Sequence, residues 1–354
     1  MSDGAGGPRQ GRTAFVTGGS GFLGGRLIRR LVADGWSVRG LARSDRAGAA
    51  VAGAGATVVT GGLDDLPARV EQLQGCDVAF HCAAHTAEYD RPAVFEQVNV
   101  GGTKAALDAC RQAEVARFVH VSTEAALLVG QPLVNINEDA PLRPDSRVPY
   151  CASKARAEQA VMEAQGASAM TTAIVRPRMI WGQGDTTILP SLVASVRKGR
   201  FRWIGGGHHL TATTHVDNAV EGLILAAASQ RSGRVWFVTD GDPMAFRDFV
   251  TALLATQGVE IPDRSMPAPV ARAAARGVEG AWRALHLHAT PPLTTIAVWL
   301  SSLEVTIDIS RARDELGYRP VTDRASGLAQ LTATAASFPP SDPRKGVGHH
   351  ADGL

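Results

Sequence analysis

Two apolar periodicities alternate along the first half of the chain. Short apolar runs bounded by glycine or polar residues read as strands at 13–17 (TAFVT), 37–42, 57–60, 77–83, 117–122 and 172–176. Between them, Leu23, Leu27 and Leu31, with Ile28 and Val32, recur at helical spacing, and further helices fit 94–114 and 150–165. The strands lack polar alternation, as expected when helices cover both faces of a sheet. This rhythm predicts an α/β fold: a Rossmann-like, doubly wound parallel sheet of about seven strands.

The pattern loosens after Gly182. Helices fit 189–198 and 215–228, the second with Asp217 placed as its N-cap, and a strand fits 235–238. From Pro243 onward, helices and prolines predict a smaller, mainly helical C-terminal substrate lobe. The expected division is a dinucleotide-binding domain over 12–185, to which 212–240 return, and a lobe built from 186–211 and 241–335. The polar, glycine- and proline-rich ends, 1–11 and 337–354, are expected to be disordered.

Composition narrows the function classes. The 354 residues are 45% hydrophobic and 20% charged with a net charge of +2, so no nucleic-acid partner is expected. The four cysteines form no C-x-x-C pair, which excludes a disulfide scaffold or zinc ribbon and suits a reducing compartment. No apolar run has the length of a membrane span, and no signal-peptide pattern opens the chain; a cytoplasmic location is expected. His81 and His120 fall within strands and read as core residues. His208, His209 and His215 lack a ligand pattern, so no metal is expected.

Three motifs carry chemistry. Gly18-Gly19-Ser20-Gly21-Phe22-Leu23-Gly24 is a glycine turn between a strand and a helix. Glycines there admit a tight turn and close approach of a pyrophosphate, which then meets the free N–H groups of the helix. Tyr150 and Lys154 stand four apart on a predicted helix and share a face. An ammonium beside a phenol favours the phenolate and lowers its pKa from about 10, making the tyrosine a general acid or base. With three tyrosines and four lysines in the chain, a chance pairing at this spacing is roughly a one-in-thirty event. Ser122-Thr123 ends the fifth strand, where a hydroxyl faces the crevice at the strands' carboxyl ends and can hold a carbonyl oxygen.

These motifs, with FHCAA (80–84), Asn99-Val100-Gly101-Gly102-Thr103, Arg176-Pro177, Thr214-His215-Val216-Asp217-Asn218 and the late Asp308–Tyr318 segment, stand in the order seen in extended short-chain dehydrogenases/reductases. That family includes NAD(P)-dependent epimerases and dehydratases. The likeness covers about 12–335. Arg176-Pro177-Arg178-Met179-Ile180-Trp181-Gly182 and Thr123-Glu124-Ala125 resemble the 3β-hydroxysteroid dehydrogenase and 2-alkyl-3-oxoalkanoate reductase subgroup rather than sugar-nucleotide dehydratases, which carry a second acid after the threonine.

The resemblance implies roles. Tyr150 would exchange a proton with the substrate oxygen. Lys154 would lower the phenol's pKa and bind the nicotinamide ribose. Thr123, with Ser122, would hold the carbonyl, and Asn99 would support the relay or fix the lysine. Gly18, Ser20, Gly21, Phe22, Leu23, Gly24, Leu63, Ala83, Ala84 and Pro177 would line the cofactor. At the end of the second strand Ala42 stands where an acid would favour NAD, and Arg43 follows, so the expectation leans to NADP over NAD. Gly62 replaces the acid that would meet the adenine. His85, Arg178 and Trp299 are candidate substrate contacts. The helix expected over 270–287, with Val270, Ala274, Val278, Trp282 and Leu285 along one face, is expected to pack on the substrate lobe rather than lie on a membrane surface. The expected function is reduction or oxidation between a hydrophobic ketone and a secondary alcohol of steroid, terpenoid or β-keto acyl type. The alternatives are a nucleotide-sugar epimerase that keeps its NAD and a non-catalytic dinucleotide binder. A homodimer through the helices near Val94 and Tyr150 is also implied.

Overall fold

The computed structural model describes residues 11–166, 169–287 and 289–337; the tail expectations fall almost entirely outside them. Seven parallel strands form the main sheet: β1 (Thr13–Thr17), β2 (Ser37–Ala42), β3 (Thr57–Thr60), β4 (Val78–His81), β5 (Arg117–Val121), β6 (Thr171–Pro177) and β7 (Arg234–Val238). Their order is β7-β6-β5-β4-β1-β2-β3. The direction of winding reverses between β1 and β4, which opens a crevice at their carboxyl ends.

Alternation within the strands explains the layering. Ala14 and Val16 of β1, Val119 of β5 and Val175 of β6 face one side. There they pack on α1 (Phe22–Ala33) and α6 (Val216–Ala228), through Leu27, Leu31, Val220 and Leu223. Phe15, Phe118 and Ile174 face the other side, against α3 (Gly102–Gln112) and α4 (Pro149–Glu163), through Leu107, Cys110 and Val161. The remaining crossover helix, α2 (Asp45–Gly53), begins at Ser44, whose hydroxyl accepts from the Ala47 N–H.

The strands fall where the apolar runs predict, with small differences at their ends. β4 stops at His81, two residues early, where Cys82 and Ala83 pass directly against Gly18 of the glycine loop. The helix predicted over 94–114 is three pieces: one turn at Pro92–Phe95, a π-helical segment at Glu96–Gly101, and α3. The widened turn carries Asn99, and such turns gather at functional sites. Asp217 is not the cap of α6. The His215 ring accepts from the Asp217 N–H, and the Asp217 carboxylate instead pairs with Arg26 of α1 at 2.5 Å.

The C-terminal half holds α5 (Ile188–Arg197), α7 (Phe246–Ala255), α8 (Ala268–Ala284), α9 (Thr295–Ser302), α10 (Ser310–Leu316) and α11 (Arg324–Ser337). With Leu133–Ile136 from the first half it builds a small sheet the sequence reading missed, in the order Met244–Ala245, Leu210–Thr211, Val305–Ile307, Leu133–Ile136. These strands are two to four residues long, too short to show a period. Trp181, Trp203, Phe246 and Phe249 form a separate core beneath α5 and α7. The Thr214–Asn218 motif fastens this half to the sheet through buried Asp240, which accepts from Trp181 Nε1 (2.8 Å), Thr213 Oγ1 (2.7 Å) and Asn218 Nδ2 (2.7 Å).

In α8 the predicted apolar stripe is not the buried one. Ala271, Ala275 and Glu279 are covered, whereas Val270 and Leu285 stay exposed. Small alanines allow close contact with α9, and that contact outweighs the burial of two larger side chains. No helix among the described residues is long and apolar enough to cross a membrane.

Candidate active site

The glycine turn sits at the reversal of the sheet. Gly18 has φ +70°, and a Cβ there would come within 2.7 Å of Ala83 N. Gly24 lies directly against the Gly18 carbonyl, so a side chain there would collide with backbone. Gly21 precedes α1, and no side chain bonds the first N–H groups of that helix. Those donors remain free for an anion, and Ser20 and Gly21 are exposed beside them. Opposite, Thr17 Oγ1 accepts from Ala83 N (3.2 Å) and bonds His81 Nδ1 (2.9 Å). Burial pushes His81 down to about 3, with Lys154 adding to the effect, so its imidazole is neutral, a satisfied core residue. The residues present fit a dinucleotide: open backbone donors, no side chain over the turn, and Ala83-Ala84 as a smooth opposite wall.

At the far side of the cradle, Arg43 is exposed at the end of β2 and has no carboxylate partner among the described residues. Leu63 packs on Gly102, where a Cβ would meet it at 2.5 Å. At Gly62, where an acid is absent, the backbone N–H donates to the Asp65 carboxylate at 2.7 Å.

Tyr150 and Lys154 lie in the first turns of α4, which packs on the short helical turn Glu124–Leu127 that follows β5. Lys154 Nζ donates to the Val121 carbonyl at 2.7 Å. Burial lowers its pKa to about 8, while Glu158 and Cys82 oppose the fall. The expected depression of the Tyr150 phenol is not found. Its pKa is raised, by burial first and then by the Glu124 carboxylate and Cys151, with a hydrogen bond to Thr123 pulling the other way. Spacing of four puts both side chains on one face, but the ammonium is drawn back to a strand carbonyl.

The two hydroxyls at the end of β5 part ways. Ser122 is buried and donates to Glu158 Oε2 at 2.5 Å, so it is not open to a substrate. Glu158 in turn pairs with buried Arg176 of β6, through Nε at 3.1 Å and through Nη2. Thr123 turns toward Tyr150, donates to Glu124 Oε2 at 2.8 Å and accepts from the Ala125 N–H. Arg178, a candidate substrate contact, is instead fully buried. It pairs with Glu124 and donates to Thr211 Oγ1. An arginine with no exposure, one residue beyond a sheet strand, needs an anion, and Glu124 meets that need. Pro177 ends β6 between these two arginines.

Asn99 fixes the loop rather than the lysine. Its Oδ1 accepts from His85 N (2.7 Å), and its Nδ2 donates to the His85 carbonyl (3.1 Å) and to Ser153 Oγ (2.9 Å). His85 itself is held by Asp90 through Nε2 at 2.9 Å and by the Phe95 ring at 4.7 Å. It stands outside the wall of the cavity that Asp90 and Phe95 line.

That cavity, of about 1050 Å³, lies between α8, α9 and the loops around 88–95, 129–131 and 143–149. Phe95, Val148, Val298 and Trp299 give it an apolar floor. The Phe95 ring, which lines the cavity, meets the Tyr150 ring edge-on at 6.3 Å; Tyr150 itself stands behind that wall. Trp299 lies against Gly130, where a Cβ would come within 2.8 Å of the indole. Sequence reading gave no role to Glu124 or Glu158, and it set Arg272, Arg276 and Arg283 off the apolar stripe of the predicted helix without assigning them a site. One signal was available for Glu158: Tyr150, Lys154 and Glu158 repeat at four-residue spacing on one stripe of α4.

Comparison with known proteins places this geometry among relatives. The family described as "3-beta hydroxysteroid dehydrogenase/isomerase" matches residues 15–268. A 4-hydroxy-2-methyl-3-oxo-4-farnesyl-3,4-dihydroquinoline-1-oxide ketoreductase from Stigmatella aurantiaca is 46% identical over 317 residues, covering 90% of this chain and 95% of the relative. A 2-alkyl-3-oxoalkanoate reductase from Stenotrophomonas maltophilia is 34% identical over 330 residues, covering 91% and 99%. Among solved structures, a dTDP-glucose 4,6-dehydratase from Streptomyces venezuelae superposes with a TM-score of 0.72 at 23% identity, covering 92% of this chain and 97% of that one, and shows the shared fold.

Proposed function

The chain belongs to the 3-beta hydroxysteroid dehydrogenase/isomerase family and is an NAD(P)-dependent oxidoreductase of the extended short-chain type; from that premise we propose that it interconverts a hydrophobic ketone and a secondary alcohol, with Tyr150 as the proton donor and acceptor. The observation that carries this reading is the position of the phenol. It sits beside Thr123 and against the Phe95 ring, which with Val148 and Trp299 floors the adjoining cavity.

A nicotinamide, when bound, supplies the hydride. The residues do the rest. The free N–H groups of α1 hold the pyrophosphate, and Gly18 and Gly24 keep backbone at contact distance. Arg43 favours a 2′-phosphate, and so NADP over NAD. Lys154 keeps protons for a ribose hydroxyl while its third hydrogen bond is spent on Val121. The buried phenol of Tyr150 stays protonated through the neutral range, which suits it to donate to a ketone oxygen as negative charge develops. Thr123 holds the phenol in place. Hydrophobic substrates agree with the cavity floor and with the ketoreductase relatives.

The test is hydride transfer followed at the reduced-nicotinamide absorbance, with NADPH and NADH, against a pool of lipophilic ketones. Tyr150→Phe is expected to lower kcat by about 10³-fold while leaving cofactor binding intact. Turnover that persists in Tyr150→Phe excludes this mechanism. Nicotinamide released only on denaturation, with no net redox change, points instead to the epimerase.

A further inference from the structure

Arginines crowd one flank of the cavity, and most of them lack an anion. Its carboxylates are already committed. Asp145 pairs with Arg143 (2.8 Å), and Glu279 takes Arg283 (3.3 Å) together with the Thr295 N–H and hydroxyl. Glu88 accepts from Thr294 Oγ1, and Asp90 from His85. Among the described residues, that leaves Arg91, Arg147, Arg272 and Arg276 lining the cavity with no carboxylate partner. Arg91, Arg147 and Arg276 are exposed and can be satisfied by water.

Arg272 differs. It is half-buried, and its Nε is shut off from solvent with no hydrogen-bond partner. A guanidinium is always charged, and a buried donor without a partner is costly. Arg276 Nε donates to the Arg272 carbonyl at 3.3 Å, one helical turn on, which sets the two side chains along the same flank of α8. The opposite face of α8 carries no charge: Val270, Ala273, Gly277, Ala281 and Ala284. Every charged residue between Ala268 and Ala284 (Arg272, Arg276, Glu279 and Arg283) lines the cavity.

We propose that Arg272, assisted by Arg276, binds an oxyanion carried on an apolar body, so that the substrate is an amphiphilic ketone with an ionised group held at the α8 flank. This rests on the ketone reading above and adds a polar end to it. The planar guanidinium fork matches a carboxylate or a phosphate, and the apolar floor strengthens the pairing by excluding water.

The experiment measures binding of decanoate, decyl phosphate, decanol and UDP to the full chain by tryptophan fluorescence, since Trp282 and Trp299 line the cavity. Decanoate or decyl phosphate is expected to bind roughly 10- to 100-fold more tightly than decanol. The tighter of the two identifies a free acid or a phosphate ester as the source. In Arg272→Gln the preference over decanol is expected to fall to within about threefold, and Arg272→Lys, which keeps the charge but not the fork, to fall between. Circular dichroism checks that both variants are folded. Equal binding of decanol, an unchanged preference in Arg272→Gln, or tighter binding of UDP than of either amphiphilic anion overturns the proposal. Turnover of 2-decanone with NADPH or NADH reads the ketone reaction separately. Its absence would count against the reductase reading, while the decanoate-to-decanol ratio would still report on Arg272.

Discussion

Two pairs of arginines show how differently the same side chain is treated in this molecule. Arg176 and Arg178 flank the end of β6 and are wholly buried, each matched by a carboxylate from another element, Glu158 and Glu124. Arg272 and Arg276, on α8, line a cavity and are matched by no carboxylate among the described residues. The first pair cannot face solvent and so must be neutralised within the fold. The second borders open space, where a ligand can complete it. Matched charges therefore mark the scaffold beneath the phenol, and unmatched ones mark the surface that meets the substrate. The same division separates Ser122, tied to Glu158, from Thr123, turned toward Tyr150.

The sharpest way to break this contrast is to unmatch the buried side. Arg176→Met leaves Glu158 buried without its guanidinium partner, with only Ser122 and the Lys154 charge to offset it, and is expected to destabilise the fold by about 3–5 kcal/mol in urea unfolding. A loss below about 1 kcal/mol would show that this pair is not integral to the scaffold. A smaller effect concerns Lys154, which is buried beneath the site. Its pKa near 8 predicts that cofactor affinity and kcat/KM fall as pH rises above about 8, by up to tenfold per pH unit, because the ammonium gives up its proton there. Tyr150, shifted upward, stays protonated over that range. A pH–rate profile flat to about pH 10 would remove the lysine's charge from the account.

On the exposed side the expected effects are smaller again. Arg43→Ala should raise the KM for NADPH about tenfold relative to that for NADH, read from initial rates with each cofactor. Unchanged selectivity would assign the ribose to another group. Trp299→Gln should raise the KM for bulky ketones a few-fold with kcat held, through lost apolar contact. Equal KM values would take the indole out of the binding surface.

The sequence displayed whatever depends on near neighbours. The glycine turn, the strand runs and the four-residue spacing of Tyr150 and Lys154 are local, and each could be placed on its element from the chain alone. What depends on distant partners could not be read. Glu124 and Arg178 are 54 positions apart, and Ser122 and Glu158 are 36 apart. Neither pairing leaves a period or a motif. The π-helical turn around Asn99 depends on His85 across a loop. The pKa of Tyr150 was expected to fall because only Lys154 was visible beside it. The buried Glu124 carboxylate and the loss of water arrive with the fold. On α8 the apolar residues could be listed, but which face a neighbour covers is set by α9.

Gly130 sets one dimension of the cavity without offering it a side chain. Its φ of +91° and its contact with the Trp299 indole mean that the backbone itself is the stop against which the tryptophan rests. The width of the chamber is thus inherited from the course of a loop, not from competition among side chains. Relatives that lengthen or redirect that loop would reset the size of molecule admitted while every residue around the phenol stayed the same.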